Sequence, residues 1–318
     1  MTPAKFNHLL QDLDHLTEEQ VQRLILHFQT TDPEQKMIAA LEQRIIDKPE
    51  CPHCHSGVIK RNGKKDNIQR YLCKNCLKTF SATTGTPLAR LRHKAKWLDY
   101  MEGMLGSKVL RQAATDYNIS LGTSFRWRHR FLQLPAEMKA KWLEGIVEAD
   151  ETFFAYSEKG SKKLNRKPHK RGKHMGKQGR SKEDWIPVLT VRDRGKHTFD
   201  SILDSTSIKG INEQIAGKIE EDSVLCSDGY KSYIQIAKKN GLIHKRLNLS
   251  AGIRVIDKVF HIQNVNAYHS RLKNWMNNFH GVATKYLDHY LGWFRLMDTT
   301  ENFNENKLLL IQQHLRAT

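Results

Sequence analysis

The 318-residue sequence predicts a multi-domain α/β protein, on three observations. Two C-x2-C pairs lie close together, as in a small metal-stabilised ribbon. Helical periodicity flanks that ribbon on both sides. From about residue 145 the texture changes to strands, three in succession and then strands alternating with helices. That order implies one mixed sheet with helices on its faces.

Composition narrows the class. With 39% hydrophobic and 27% charged residues the chain can build a core, and global disorder is excluded. The net charge of +18 calls for a polyanionic partner, most often nucleic acid. No apolar run approaches the ~20 residues of a membrane helix. The segment from Met1 to Leu16 lacks a signal-peptide core, so a cytoplasmic location is expected.

Residues 1–48 read as helical. Thr17-Glu18-Glu19-Gln20 has the form of a capping box before Val21, Leu24, Ile25 and Phe28. Pro33 suits a first helical position, and Met37, Ile38, Leu41 and Ile45 could line a further helix.

Residues 49–82 form the ribbon. Cys51, Cys54, Cys73 and Cys76 stand in the frame C-x2-C-x18-C-x2-C. Thiolates two residues apart can turn back onto one ion, and two such knuckles close a tetrahedral zinc cage. Four thiolates leave no open position for water, so this zinc is structural. Lys60 to Lys65 read as a hairpin tip, with Tyr71-Leu72 and Thr79-Phe80-Ser81 as short strands. Cys226 stands apart in an apolar run and reads as a buried, inert thiol.

Residues 83–140 are helical again. Trp97, Leu98, Met101 and Leu105 have helical spacing. Two further helices joined by the turn Asn118 to Thr123 resemble a helix-turn-helix, with Ala114 at the helix contact and a basic second helix. Arg126, Arg128 and Arg130, with His129, would face DNA, while Phe125 and Phe131 pack inward. The alternative is an ordinary helical hairpin with a charged outer face.

Residues 141–300 carry the sheet. Strands are expected at 146–154, 185–191, 197–203, 224–227 and near 243–248, with helices near 208–220, 231–239 and 264–279. A basic insertion, 158–183, interrupts the first two strands. Between Lys159 and Lys182 it has eleven Lys or Arg and no acidic residue. Such a block cannot pack on itself but suits the clamping of phosphates, with Lys170, Arg171 and Lys173 at its centre. Residues 301–318 are expected to form a C-terminal helix.

Two carboxylates fall where a sheet can present them. Alternation puts Glu148, Asp150 and Thr152 on one face of the first strand and Glu151 on the other. Asp228 ends the fourth strand, followed by glycine, at the edge where open α/β sheets bind ligands. Two such aspartates, offering hard oxygen ligands, suit Mg2+ or Mn2+.

The order of these parts is specific. V-E-A-D-E-T (147–152), P-V-L-T-V-R-D-R (187–194), S-D-G-Y-K-S-Y (227–233) and H-I-Q-N-V-N-A-Y-H-S-R-L-K (261–273) follow the ribbon and helical pair. Over roughly residues 48–300 the chain resembles bacterial insertion-sequence transposases with an RNase H-like core and an N-terminal zinc ribbon. The resemblance implies double-stranded DNA as partner, recognition of terminal inverted repeats, and a homodimer or higher oligomer on DNA, associated with the nucleoid when bound. It also implies catalysis by Asp150, Asp228, Asn266 and Lys273, the first three holding Mg2+ or Mn2+. Asn266 stands where relatives carry Glu, a D-D-N-K set in place of D-D-E-K. Asn offers a neutral carbonyl where Glu offers a charge. His269 and Ser270 share the helical face of Asn266, which makes His269 a rival third ligand. An inactive DNA-binding regulator and an RNase H-like nuclease are the competing functions.

Overall fold

A computed structural model describes residues 16–18, 20–21, 42–43, 45–66, 68–86, 88–93, 96–165, 184–248 and 251–299. Most of the helical expectation for 1–48, the C-terminal helix 301–318, and Lys170, Arg171 and Lys173 fall outside them. The capping box is present: Thr17 N–H donates to Gln20 Oε1 at 2.9 Å, and Gln20 N–H to Thr17 Oγ1 at 3.3 Å. The chain divides into two compact units, one up to Gly103 and one from Met104. Among the described residues no helix is long and apolar enough to cross a membrane.

The first unit holds a three-stranded antiparallel sheet of β1 (Ile59–Lys65), β2 (Ile68–Cys73) and β3 (Thr79–Ser81). Lys60 to Lys65 are not the hairpin tip. They belong to β1, and the register shifts between Arg61 and Lys64, where Gly63 takes φ +68°. A left-handed glycine fits such a bulge, so the Asn62-Gly63 turn signal marks an irregularity inside the strand. Tyr71 pairs with Phe80 and stacks on it at 5.5 Å, beside buried Cys51 and Cys73. Helix α1 (Trp97–Leu105) follows.

The second unit opens with α2 (Leu110–Asp116), α3 (Leu121–Phe131) and the short α4 (Gln133–Glu137). Ser120 caps α3 by accepting Thr123 N–H at 3.1 Å, so the second helix starts three residues before the expected Ser124. Ala113, not Ala114, is the buried alanine, and Ser124 Oγ crosses to Leu110 O at 3.0 Å. These helices cluster with the sheet that follows.

That sheet has the order β6-β5-β4-β7-β8. Its strands are β4 (Ile146–Ala155), β5 (Trp185–Asp193), β6 (Thr198–Ile202), β7 (Val224–Asp228) and β8 (Ile243–Leu247). The first three pair antiparallel, while β7 runs parallel to β4 and β8 parallel to β7. The β4–β5 ladder is continuous to Ala155 opposite Trp185, and Tyr156 N–H bonds Asp184 O at 2.8 Å just before the insertion.

Helices cover both faces. Val147, Ala149, Leu189, Val191 and Leu225 share a core with Ile211 and Ile215 of α5 (Ile208–Ile215) and Tyr233 and Ile236 of α6 (Lys231–Lys239). On the opposite face Val188 packs with Tyr268 and Leu272 of α7 (Gln263–Asn277) and with Leu287, Leu291 and Phe294 of α8 (Leu287–Thr299). Helix α8 has no counterpart in the sequence expectations. Its buried Arg295 reaches the carbonyls of Met138 and Pro135 at 3.0 and 2.7 Å and pairs with buried Asp200. The Cβ of an alanine at Gly292 would lie 2.5 Å from the backbone of Pro135 and Ala136, so that close approach requires glycine.

Candidate functional site

The cysteines build the first site. In each knuckle the residue four after the first cysteine donates its N–H to that cysteine's carbonyl: His55 to Cys51 at 2.9 Å, Leu77 to Cys73 at 3.1 Å. Each first cysteine donates its own N–H to the carbonyl five residues on, Ser56 at 2.9 Å and Lys78 at 3.0 Å. His55 (φ 58°) and Leu77 (φ 57°) close the two turns in the same left-handed conformation. The four sulfurs converge within 4.8 Å, with Cys51···Cys76 at 3.7 Å and Cys54···Cys73 at 3.6 Å, and none is in a disulfide. A tetrahedron with zinc–sulfur arms of about 2.3 Å has edges of about 3.8 Å, so the spacing fits zinc. The N–H groups of Cys76 and Asn75 hold the Cys73 thiol down at about 6.

The second site lies midway along β4 and at the end of β7. Ala149 pairs with Ser227, so Asp150 and Asp228 are the next residues of adjacent parallel strands. Asp150 keeps 21% of its side chain exposed, and its Oδ2 lies 3.6 Å from Nδ1 of buried His269 on α7. Asp228 Oδ1 accepts Tyr230 N–H at 3.0 Å. Burial raises the Asp228 carboxyl above the ordinary value, with Asp150's charge adding to it against the opposing Tyr230 N–H and Arg246.

The flanking glutamates have different surroundings. Glu148 is buried on the Asp150 face. Its Oε2 accepts Val265 N–H at 2.9 Å, and its Oε1 lies 2.6 Å from Arg194 without hydrogen-bond alignment. A carboxylate at the first turn of α7 complements the helix dipole and fixes that helix against β4. Burial raises the Glu148 carboxyl, with Val265 N–H, Arg194 and His261 working against it. Glu151 faces away, as alternation requires, yet it senses the same charges. Burial pushes it up to about 7, the negative charges of Asp150 and Asp228 contribute, and Tyr233 Oη donates to it at 2.6 Å. Sequence reasoning gave Glu148 and Glu151 no role. The adjacency of three carboxylates in Glu148-x-Asp150-Glu151 was the available signal.

Asn266 and Lys273 are exposed on α7, on the helical stripe that carries His269. His269 is the α7 side chain seen against Asp150. Its Nε2 is buried without a hydrogen-bond partner. The four cysteines are the only group of three or more closely converging metal-type ligands among the described residues. The carboxylate site presents its two aspartates with His269 beside one of them. Two acidic groups in a partly buried setting, one raised by burial and by the other's charge, fit a hard divalent cation.

On α3 the three arginines differ. Arg126 and Arg130 are exposed. Arg128 is fully buried, contrary to the expected DNA-facing role: its guanidinium donates to Lys108 O and stands 5.1 Å over Trp293. The turn of the helix that buries Trp127 and Phe131 takes Arg128 with it. His129 is also drawn in, stacked on Tyr286 at 3.9 Å with Nδ1 2.9 Å from His289 Nδ1. Phe125 is 36% exposed and does not pack fully inward.

Residues 142–297 match the family described as the ISXO2-like transposase domain, a span covering the whole five-stranded sheet and α5 to α7. An uncharacterized protein in transposable element ISH50 of Halobacterium salinarum is 28% identical over 255 residues, 77% of this chain and 84% of that one. Among solved structures, the simian T-cell lymphotropic virus intasome in complex with PP2A regulatory subunit B56 gamma matches 62% of this chain and 67% of its own, at 8% identity and a TM-score of 0.30. The match at residues 142–297 and the similarity to an insertion-sequence element protein together support an insertion-sequence transposase.

Proposed function

We propose that the protein binds the terminal inverted repeats of its own element and catalyses phosphodiester hydrolysis and strand transfer into target DNA. The observation that carries this is the placement of Asp150, midway along β4, and Asp228, at the end of β7, at matching positions of adjacent parallel strands. An RNase H-like core is supported by the strand order, with β6, β5 and β4 antiparallel and β7 and β8 parallel to β4. The aspartates would hold Mg2+ or Mn2+, which supplies charge compensation and activates an oxygen nucleophile in phosphoryl transfer. Asn266 is the third ligand in this proposal, with His269 its rival, and Lys273 holds a phosphate as a point charge.

Two displacements follow from that chemistry. A water oxygen attacks phosphorus at the element end, and the bond to the 3′ oxygen breaks, leaving a 3′-hydroxyl. That hydroxyl then attacks a target phosphorus, and the target's own 3′ oxygen leaves. No covalent protein intermediate forms. Arg126 and Arg130, with Lys170, Arg171 and Lys173 of the insertion, hold the phosphate backbone, and two element ends call for a homodimer or higher oligomer.

The test uses the DNA flanking the gene, with Mg2+. Asp150→Asn and Asp228→Asn should each lower cleavage and joining at least about 1,000-fold, since these ligands act in the transition state. DNA binding should persist. Asn266→Ala should slow the reaction strongly. Loss of activity in His269→Ala with an unaffected Asn266→Ala reassigns the third ligand. Cleavage without joining identifies a nuclease, and binding without either step identifies a regulator.

A further inference from the structure

Helix α3 and the segment from Asn278 to Tyr290 enclose a space of about 790 Å3. This is within the range of about 300–1,000 Å3 for pockets that take small organic ligands. No carboxylate lines it among the described residues. One wall is aromatic: Phe125 meets Tyr286 edge-on at 5.4 Å, and His129 stacks on Tyr286 at 3.9 Å. Burial first, then the neighbouring His289, Arg128 and Lys285, lowers His129 to about 3, so the ring stays neutral and stackable. The rim is basic, with Arg111 and Lys285 exposed.

Arg128 supplies an independent sign of a ligand. It is fully buried and forms part of the wall, yet its Nε and Nη1 have no hydrogen-bond partner. A buried guanidinium without a carboxylate is costly, and an acceptor-rich anionic ligand would relieve it. The required ligand therefore has a flat π-face for the aromatic wall and negative charge for the rim. A nucleotide has both, but a base inside a duplex has neither face free.

We propose that this pocket receives an unpaired nucleotide of the DNA, its base on the Phe125–Tyr286 wall and its phosphate at Arg111 and Lys285. The inference rests on the DNA-processing function above and adds a second contact, one that depends on an unstacked base. Aromatic stacking tolerates any base, so the pocket recognises the extruded state and not a sequence.

The experiment uses the full-length, zinc-loaded protein and two probes: a perfect duplex, and the same duplex with one extra thymine in one strand. The bulged duplex should bind about tenfold more tightly, the size of one base–aromatic stack. Permanganate should oxidise the extra thymine in free DNA and spare it in the complex. Phe125→Ala and Tyr286→Ala should abolish both the preference and the protection, leaving perfect-duplex affinity unchanged, while Phe125→Trp should retain them. Phe125 is partly exposed, so its truncation leaves the fold in place. Equal binding of the two probes overturns the inference. So does a preference that survives in Phe125→Ala, because bulged DNA also bends more easily. Failure to bind either duplex removes the DNA-processing function and this inference with it.

Discussion

Arg128 and His129 show how little a residue type fixes its surroundings. Arg128 stands between two exposed basic neighbours in sequence, Arg126 and Arg130, yet it is enclosed by Trp293 and Phe279. Arg128→Ala should therefore destabilise the protein by about 2–4 kcal/mol through lost packing and a vacated cavity. Arg126→Ala and Arg130→Ala should stay within about 0.5 kcal/mol. Urea unfolding of the three variants checks this. His129 makes a pH argument. Its folded value, about 3, lies below the ordinary 6.5, so the unfolded chain binds the proton first. Its contribution to stability is intact above pH 6.5 and is lost as pH falls toward 3. His289, Arg128 and Lys285 face the ring, and burial lowers His289 as well. His129→Phe keeps a ring on Tyr286 without the titration. Its melting temperature should fall less than that of the native chain between pH 6.5 and 4.

Among the elements, the ribbon is the one expected to depend on a metal. Its described core is Tyr71, Phe80, Cys51 and Cys73 with a few half-buried neighbours, too small to fold unaided. Chelation should release one zinc per chain and unfold residues 49–82. Cys73→Ser should do the same, while the melting of the sheet unit persists. An intact ribbon in Cys73→Ser, by amide NMR dispersion, would remove zinc from its role. The legibility of elements followed their local signals. The knuckles were readable because metal geometry fixes cysteine spacing. Strands β4 to β8 were readable because alternation and turn residues mark them. The hairpin tip was misplaced because Asn62-Gly63, a strong turn pair, is spent on a bulge. Arg128 was misplaced because helical burial depends on what α8 brings up from more than 160 residues away, and α8 itself went unread. Glu148's bond to Val265 N–H spans 117 residues and left no trace in spacing.

On the scale of the whole molecule, charge dominates: 52 Lys and Arg against 34 Asp and Glu. Log affinity for duplex DNA should fall steeply with log salt, by about 0.9 per phosphate neutralised. Arg126→Ala with Arg130→Ala should flatten that slope by up to about two such steps, measured by fluorescence anisotropy across a salt series. A flat response in the native chain would reject the backbone-contact scheme.

The hydrogen bond from Tyr156 to Asp184 has a consequence for how such a chain can change over generations. The sheet is closed at that point, and the polypeptide leaves and returns through neighbouring positions of one ladder. Lengthening what lies between costs little in closure entropy, only about 0.6 kcal/mol for each doubling. Asp150, five residues before the Ala155–Trp185 pair, is insulated from every such change. A grafted segment from a relative should therefore be accepted there before anywhere else in the sheet.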